Sequence, residues 1–194
     1  MGTSKAAARI RAAATEIFAT KGYGATSTRE IAASLDLSPG AVYPHYKTKE
    51  SLLYAVSLEG HNAALETLRK ADDPTRPPAW RLASVVTAYV HHHARFHAQA
   101  RVVQYELRSL TPEHFRTINR LRRKTSDVFT DIVDAGEASG DFDTVDTDAA
   151  VLAIIALCVD VSRWFPSRRY SNADVLAARY VELALRMVGS NAGE

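Results

Sequence analysis

The segment 27–49 constrains the fold of this chain most strongly, because it holds three helix-start signals in close succession. Ser27 begins a capping box, in which its side chain accepts from the amide of Glu30 while the Glu30 carboxylate reaches back to the Ser27 amide. Ser38-Pro39 pairs a capping residue with a proline at the first helical position, and Thr48 opens a third helix. The spacing predicts two helices of about seven residues around a turn of three or four, which is a helix-turn-helix.

The second helix of this pair begins with small residues only, Ser38-Pro39-Gly40-Ala41. Small side chains let a helix backbone approach another surface closely, and a helix N-terminus binds phosphate oxygens. The surrounding sequence is also basic: residues 1–49 contain seven Lys or Arg against three Asp or Glu, whereas the remainder of the chain is slightly acidic. Both features are typical of contact with double-stranded DNA. An ordinary hairpin in a helical bundle would share part of the pattern, so that alternative stays open at this point.

The whole chain is predicted to be all-α, with about nine helices. Apolar residues recur at three- and four-residue spacing, and no stretch alternates convincingly like a strand. Glycine and proline place the breaks between helices. The predicted breaks are Gly22-Tyr23-Gly24 after a first helix from about Lys5, the proline-rich linker 72–78, Thr111-Pro112, residues 140–144, and Pro166.

We predict a three-helix helix-turn-helix domain in residues 1–65 and a second helical domain in residues 66–194, with the boundary inside a long helix from Thr48 to about Ala71. The family resemblance given below implies that the second domain binds a ligand and dimerises. No apolar run reaches the roughly 18 residues that a membrane span needs, and the N-terminus lacks the apolar core of a secretory signal. The single cysteine, Cys158, cannot form an internal disulfide. We therefore expect a cytoplasmic protein without a membrane partner. No metal motif is present in the sequence, so we expect neither a metal nor a cofactor.

Three runs in the N-terminal part resemble the DNA-binding domain of TetR-type repressors: Phe18–Tyr23, Thr28–Ala32 and Leu37–Leu53. The match extends without gaps from about Arg9 to Val56. The resemblance implies that Arg29 is the best candidate for a guanine contact. The implied DNA contacts are Thr28 and Arg29 at the groove edge, Ser38, Pro39, Gly40 and Tyr43 facing bases or phosphates, and His45, Tyr46 and Lys49 on the DNA backbone.

Pro44 departs from the pattern of this family. Proline has no amide to bond the carbonyl of Gly40, so it is predicted to end or kink the recognition helix early. Few side chains in this helix are long enough to read bases. Specificity is therefore expected to depend on Arg29, Tyr43 and DNA shape.

The last two predicted helices carry the signal for dimerisation. Residues 149–165 are apolar nearly all round, which predicts burial on every side, and residues 175–188 carry a second broad apolar stripe. In the resembled family, the last two helices pair with their symmetry mates as a four-helix bundle. We therefore expect a homodimer on a near-palindromic operator, with a monomer core as the alternative for these two helices.

Two clusters of polar residues leave functional alternatives open. His91, His92, His93 and His97 suggest a metal site, but they lack the motifs of known metal helices, so a wet or pocket-lining face is the commoner outcome. The basic residues 116–124 fit either a solvated helix face or an anchor for a phosphate-bearing ligand.

A second, weaker resemblance concerns the effector. His91-His92-His93, Val103–Glu106 and Ser162–Pro166 are similar to the C-terminal domain of actinobacterial regulators of lipid and steroid catabolism, some of which answer to acyl-CoA thioesters. The candidate ligand contacts are His93, His97, Tyr105, Arg120, Asp160 and Trp164.

The leading hypothesis is a sequence-specific DNA-binding regulator without enzymatic activity. It would be a homodimeric repressor released from its operator by a small apolar or acyl-CoA-type ligand. The alternatives are a metal-binding bundle or enzyme that uses the His91–His97 cluster, and a ligand-free nucleoid or partner-binding module.

Overall fold

The computed structural model describes residues 5–190, which form helices joined by turns and loops, with no strand in that range. The α-helices are α1 (Lys5–Lys21), α2 (Thr28–Ala33), α3 (Lys49–Ala71), α4 (Pro78–Arg95), α5 (His97–Tyr105), α6 (Pro112–Ser139), α7 (Thr147–Trp164) and α8 (Ala173–Met187). Two short 3-10 helices, Pro39–Val42 and Leu107–Ser109, interrupt this series. The predicted all-α class is confirmed. Within the described range, no helix is long and apolar enough to cross a membrane.

The helix ends lie where the turn chemistry predicts them. Gly22 has a φ of 86° and donates its amide to the carbonyl of Phe18, which ends α1. Helix α4 begins directly after the proline-rich linker, and α6 begins at Pro112. The Thr111 hydroxyl oxygen accepts from the amide of His114 at 3.3 Å, as a capping residue should.

The described chain forms two compact units, which the predicted boundary at residue 65 does not anticipate in full. The N-terminal unit comprises the residues up to His61 together with Ala98–Asn119, and the C-terminal unit comprises Asn62–His97 and the chain from Arg120 onward. The division of functions between residues 1–65 and 66–194 stays a prediction, and residues 1–4 and 191–194 lie outside the described range.

One apolar core explains why residues 98–119 fold with the N-terminal helices. Ile10 and Phe18 of α1, Ile31 of α2 and Leu52 of α3 are buried together, and so is Val42 of the 3-10 helix. The same cluster includes residues from beyond α4: Val102, Leu107, Leu110 and Ile118. A helix-turn-helix of about 60 residues buries little apolar surface by itself, so these residues enlarge its core.

The C-terminal unit is built on α4, with α7 and α8 packed against it and part of α6 completing the core. Its largest fully buried side chains include Phe129, Leu82, Ile154 and Leu176. The prediction that α7 is buried on every side is wrong for the single chain, because Leu152 on that helix is 70% exposed. One face of the apolar helix α7 is therefore exposed to solvent in the single chain.

Candidate functional site

The start of α2 is fixed by the predicted capping box. The Glu30 amide donates to Ser27 Oγ at 3.2 Å, and the Ser27 amide donates to Glu30 Oε2 at 2.8 Å. Hydrogen bonds from Ser27 and an ion pair with Lys21 at 3.1 Å lower the pKa of Glu30. This rigid first turn leaves Thr28 half-buried and Arg29 exposed.

The turn after α2 depends on one residue with an unusual backbone conformation. Asp36 has a φ of 56°, in the left-handed region, and its amide donates to the carbonyl of Ala33 at 3.1 Å. The amide of Leu37 donates to the carbonyl of Ala32 at 3.0 Å. This pair of bonds is a Schellman motif, which ends the helix and redirects the chain, while the half-buried Leu37 packs on the core.

The recognition segment is a single turn of 3-10 helix, Pro39–Val42, where the sequence predicted a helix of about seven residues. The carbonyl of Gly40 accepts from the amide of Tyr43 at 3.3 Å, three residues on, and Pro44 has no amide to offer it. The predicted early end is therefore confirmed. It is also why the chain has eight α-helices within residues 5–190 where about nine were predicted.

The outer side of this segment is small, exposed and open. Ser38 is the N-terminal cap residue, yet its side chain makes no capping hydrogen bond. Ser38, Pro39 and Gly40 are all exposed, and a Cβ atom added to Gly40 would have no neighbour within 4 Å. Nothing in the fold around this position demands glycine, so the free space is available to a molecule outside the chain.

Polar rings flank the recognition segment. Tyr43 is 50% exposed, and its hydroxyl lies 3.5 Å from the Thr28 hydroxyl at the start of α2. His45 and Lys47 are also exposed. Most of the residues that the sequence assigned to DNA contact are therefore exposed, and the Thr28–Tyr43 contact links α2 to the recognition segment.

Tyr46 lies on the inner side of the segment. It is 8% exposed, and its hydroxyl donates to the carbonyl of Ala7 at 3.2 Å. The same oxygen accepts from Arg11 Nη1 at 2.9 Å, and Arg11 forms an ion pair with Glu59 at 2.9 Å. The hydrogen bond with Glu59 is the main reason that the pKa of Arg11 is raised above its usual value. Tyr46 therefore ties the recognition segment to α1.

Lys49 is likewise engaged within the chain. Its Nζ atom donates to the carbonyls of Tyr23 and Thr26, both at 2.8 Å, and lies 4.2 Å from the centre of the Tyr23 ring. Burial, followed by the nearby carboxylates of Glu50 and Glu106, raises the pKa of the Tyr23 hydroxyl. We call the group formed by Lys49, Tyr23 and Thr26 the Lys49 clamp. It joins the α1–α2 loop to the first turn of α3.

The candidate effector residues differ in burial and in their hydrogen-bond partners. His93 is 4% exposed, hydrogen-bonds through Nδ1 with the carbonyl of Tyr89 at 2.9 Å, and burial lowers its pKa to about 4. Asp160 pairs with Arg163 at 2.8 Å, which is the main cause of its lowered pKa, and it also receives a hydrogen bond from Trp164. His97 lies near the end of α4, with Nδ1 at 3.3 Å from the Ala94 carbonyl.

The remaining two candidates are both on the surface. Tyr105 belongs to the N-terminal unit and is 57% exposed. Arg120, where the chain re-enters the C-terminal unit, is exposed.

A groove of about 600 Å³ lies between α4 and α8 and is lined by Trp80, Thr87, His91 and Val181 among others. None of the six candidates is among its lining residues.

The histidines face different partners. His91 Nε2 lies 3.0 Å from Asp174 Oδ1, and His92 Nδ1 lies 3.4 Å from the Thr67 hydroxyl. His93 hydrogen-bonds with a backbone carbonyl, so the three histidines have three different partners, although the rings of His92 and His93 meet edge to face with centroids 5.4 Å apart. Among residues 5–190 no three His, Cys, Asp or Glu side chains are grouped so that they could hold a metal ion.

Two family models match the chain. The model for bacterial regulatory proteins of the tetR family matches residues 10–56, and the model for the tetracyclin repressor-like C-terminal domain matches residues 75–188, more than half of the chain. A bacterial regulatory protein in the tetR family from Rhodococcus RHA1 has a crystal structure with 66% sequence identity and a TM-score of 0.96, covering 97% of this chain and 99% of that chain. The chain belongs to the TetR family.

Two further proteins are similar to the chain. The transcriptional repressor KstR2 of Mycolicibacterium smegmatis is 25% identical over 186 residues, which are 93% of this chain and 89% of KstR2. AibR, whose structure is known in complex with isovaleryl coenzyme A and operator DNA, shares the fold at a TM-score of 0.85 with 19% identity, covering 96% of this chain and all of AibR.

Membership of the TetR family fixes the broad function. The chain is a DNA-binding transcriptional regulator with a ligand-binding C-terminal domain, as the sequence predicted. The metal-binding or enzymatic alternative built on His91–His97 is not favoured.

Sequence reasoning missed the residues that hold the DNA-binding unit together from a distance. Arg11 and Glu59 support Tyr46, and Glu106 accepts a hydrogen bond from the Tyr23 amide at 3.2 Å. Arg11 and Glu59 are 48 residues apart, and Tyr23 and Glu106 are 83 apart. No local pattern signals pairs at such separations.

Proposed function

We propose that this TetR-type regulator is a homodimeric repressor whose 3-10 segment Pro39–Val42 enters the major groove of its operator. The observation that carries the proposal is the open, small-residue surface of that segment, with empty space around Gly40 in an otherwise well-packed unit. A backbone without bulky side chains approaches base edges and phosphates closely, and helix N-termini favour phosphate oxygens.

The proposed contacts follow from exposure. Arg29 is long enough to reach a base edge from the first turn of α2, and its guanidinium suits guanine. Tyr43, His45 and Ser38 offer polar groups to phosphates or bases on the same side. Thr28, half-buried, is proposed to orient the Tyr43 hydroxyl as well as to face the groove edge. Pro39 and Gly40 contribute by being small.

Tyr46 and Lys49 are proposed to support DNA binding from inside the unit. The hydroxyl of Tyr46 and the ammonium group of Lys49 already hydrogen-bond within the chain, and Tyr46 is buried. A phosphate contact by either would have to share a group that is already engaged. We therefore propose that both residues fix the orientation of the recognition segment.

The proposed dimer uses the uncovered faces of α7 and α8. Leu152 is 70% exposed on α7, and Val175, Leu183 and Met187 are 52%, 40% and 38% exposed on α8. Large apolar side chains concentrated on two helices are typical of an interface, and a single recognition segment would bind one half-site weakly. Leu152→Arg should convert the dimer into a monomer in sedimentation measurements and abolish operator binding.

The proposed effector is a small apolar molecule or an acyl-CoA thioester. The support is the likeness to KstR2 and to AibR, together with an almost wholly apolar α7 in the C-terminal unit. An effector acts only through different affinities for the DNA-binding and the free conformations. We propose that the protein catalyses no reaction and acts in the cytoplasm, where it would meet its operator.

The test begins with selection of a duplex by the full-length protein from a randomised library. Binding to the selected duplex should exceed binding to random duplex by at least about 1000-fold at physiological salt. Arg29→Ala should reduce this ratio, whereas Arg69→Ala, an exposed arginine on the C-terminal part of α3, should not. Equal affinity for both duplexes would contradict the repressor proposal.

The effector is tested on the same complex. Isovaleryl coenzyme A, longer acyl-CoA thioesters, fatty acids and steroids are screened by thermal shift, and compounds that raise the melting temperature are tested for release of the duplex. A compound that stabilises the protein without changing its operator affinity would not be the effector.

A further inference from the structure

Residues 98–119 bring two hydrogen-bonding side chains to the DNA-binding helices. Glu106 Oε1 accepts from the amide of Tyr23 at 3.2 Å. His114 Nδ1 lies 2.8 Å from Glu50 Oε1, and because a carboxylate can only accept, Nδ1 is the donor. The Tyr54 ring stacks on the His114 ring with centroids 3.7 Å apart and planes 6° from parallel.

One contact reaches a member of the Lys49 clamp, and the other reaches the residue next to Lys49. Glu106 holds the amide of Tyr23, the residue whose carbonyl and ring receive Lys49. His114 holds Glu50, the neighbour of Lys49 in the first turn of α3. The same Glu50 oxygen accepts from the Thr111 amide at 2.9 Å. Glu106 therefore fixes the α1–α2 loop, and His114 fixes the start of α3.

The packing leaves this segment little freedom to slide against α3. A Cβ atom on Gly60 of α3 would lie 3.0 Å from Val103 Cγ2 and 3.3 Å from Gln99 Cδ, so the two helices are in close contact. Leu107, next to Glu106, and Ile118, one turn after His114, are 5% and 0% exposed in the core of the N-terminal unit. The positions of Glu106 and His114 are thus set by buried packing.

We infer that Glu106 and His114 are positioning residues for operator recognition, which hold the Lys49 clamp and, through it, the recognition segment without touching DNA. The inference rests on the proposed function. Pro39–Val42 lies between α2, which follows the clamped loop, and α3, which begins at the clamp. A change in either support alters the angle at which the segment meets the groove, and small misplacements of a reading element cost affinity. The N-terminal family match ends at residue 56, so neither residue falls within it.

The test uses full-length variants and the duplex selected by the wild-type protein. Glu106→Ala and His114→Phe should each weaken binding about tenfold, the effect of losing about one hydrogen bond to a charged group. Glu106→Gln keeps an oxygen for the Tyr23 amide, and His114→Asn keeps a donor near the place of Nδ1. Both should restore most of the affinity. Phenylalanine retains the stack on Tyr54, so the His114 pair separates the hydrogen bond from the ring contact.

The salt dependence of binding separates positioning from contact. A residue that touches a phosphate contributes about one to the slope of log affinity against log salt, whereas a positioning residue contributes nothing. The slopes of Glu106→Ala and His114→Phe should therefore equal that of the wild-type protein. Glu113→Ala, an exposed charge next to His114, and Val151→Ala, a core truncation in the C-terminal unit, are the controls and should leave affinity unchanged.

Three results would overturn the inference alone. The first is unchanged affinity in both Glu106→Ala and His114→Phe. The second is a salt slope reduced by about one in either variant. The third is an equal loss of affinity in Val151→Ala, which would indicate general instability. A wild-type protein that selects no duplex would overturn the proposed function as well, so the two failures are distinguishable.

Discussion

Substitution of Lys49 by methionine separates the two roles that this residue could have in DNA binding. Methionine keeps the length and apolar stem of lysine but has no donor and no charge. In the structure, Nζ of Lys49 supplies two hydrogen bonds of 2.8 Å to the carbonyls of Tyr23 and Thr26 and lies over the Tyr23 ring. The substitution removes all three contacts and leaves the two carbonyls to find water.

The expected loss of stability follows from these contacts. A hydrogen bond with a charged donor contributes about 1.5–3 kcal/mol net, and a cation–π contact at a partly exposed site adds about 0.5–1 kcal/mol. Lys49 is half-buried, so water replaces part of what is lost. We expect Lys49→Met to lower the free energy of unfolding by about 2–3 kcal/mol, against less than about 0.5 kcal/mol for Lys47→Met, its exposed neighbour.

Urea unfolding followed by circular dichroism measures the stability, and titration of the selected duplex at several salt concentrations measures the contact with DNA. If Lys49 acts as a clamp, Lys49→Met loses stability and affinity but keeps the salt slope of the wild-type protein. The opposite result would be a stability change below about 0.5 kcal/mol together with a salt slope reduced by about one. It would show that Lys49 contacts a phosphate and that the Lys49 clamp does not stabilise the fold.

Three further predictions follow from single residues. Gly40→Ala should leave the melting temperature unchanged, since its Cβ has open space, but weaken operator binding about tenfold; full affinity would mean that DNA does not approach there. Asp36→Gly should raise the free energy of unfolding by about 0.5–1 kcal/mol, because glycine relieves a φ of 56°, and a loss of stability in calorimetry would contradict this. His93 has a pKa of about 4 when folded and about 6.5 when unfolded, so the unfolded state binds its proton first and stability falls as pH falls. Between pH 7 and pH 5 the share of His93 in this loss should be about 2 kcal/mol, and His93→Asn should lack it; an identical pH profile in that variant would exclude the assignment.

The sequence predicted the local features of the DNA-binding unit well because their causes are local. The capping box at Ser27, the glycine that ends α1 and the proline that opens α6 act within a few residues, and all three are where they were expected. The shortening of the recognition segment by Pro44 has an equally local cause, the missing amide.

The sequence could not predict contacts between residues that are far apart in the chain. The family resemblance assigned Tyr46 and Lys49 to the DNA backbone, and that assignment stays a prediction. What the sequence did not foresee is that Tyr46 hydrogen-bonds with Ala7 and Arg11, and Lys49 with the α1–α2 loop. Tyrosine and lysine can bury their apolar part while the polar group hydrogen-bonds within the chain. Whether they do so depends on tertiary contacts, which the spacing of apolar residues in the sequence does not reveal. The candidate ligand contacts also stay a prediction: Tyr105 belongs to the N-terminal unit, whereas the other five candidates belong to the C-terminal unit.

The short recognition segment explains why so many residues of the N-terminal unit serve to hold it. Four residues of 3-10 helix have few internal hydrogen bonds, and such helices are intrinsically weaker than α-helices. The orientation of the segment must therefore be set by contacts with other parts of the unit. Val42 is 0% exposed and packs into the core, while Tyr46, just after the segment, hydrogen-bonds with α1. A longer recognition helix would add side chains that read bases and would hold its own axis. The four-residue segment of this chain offers neither, so we expect its selectivity to be unusually sensitive to substitutions in the residues that support it.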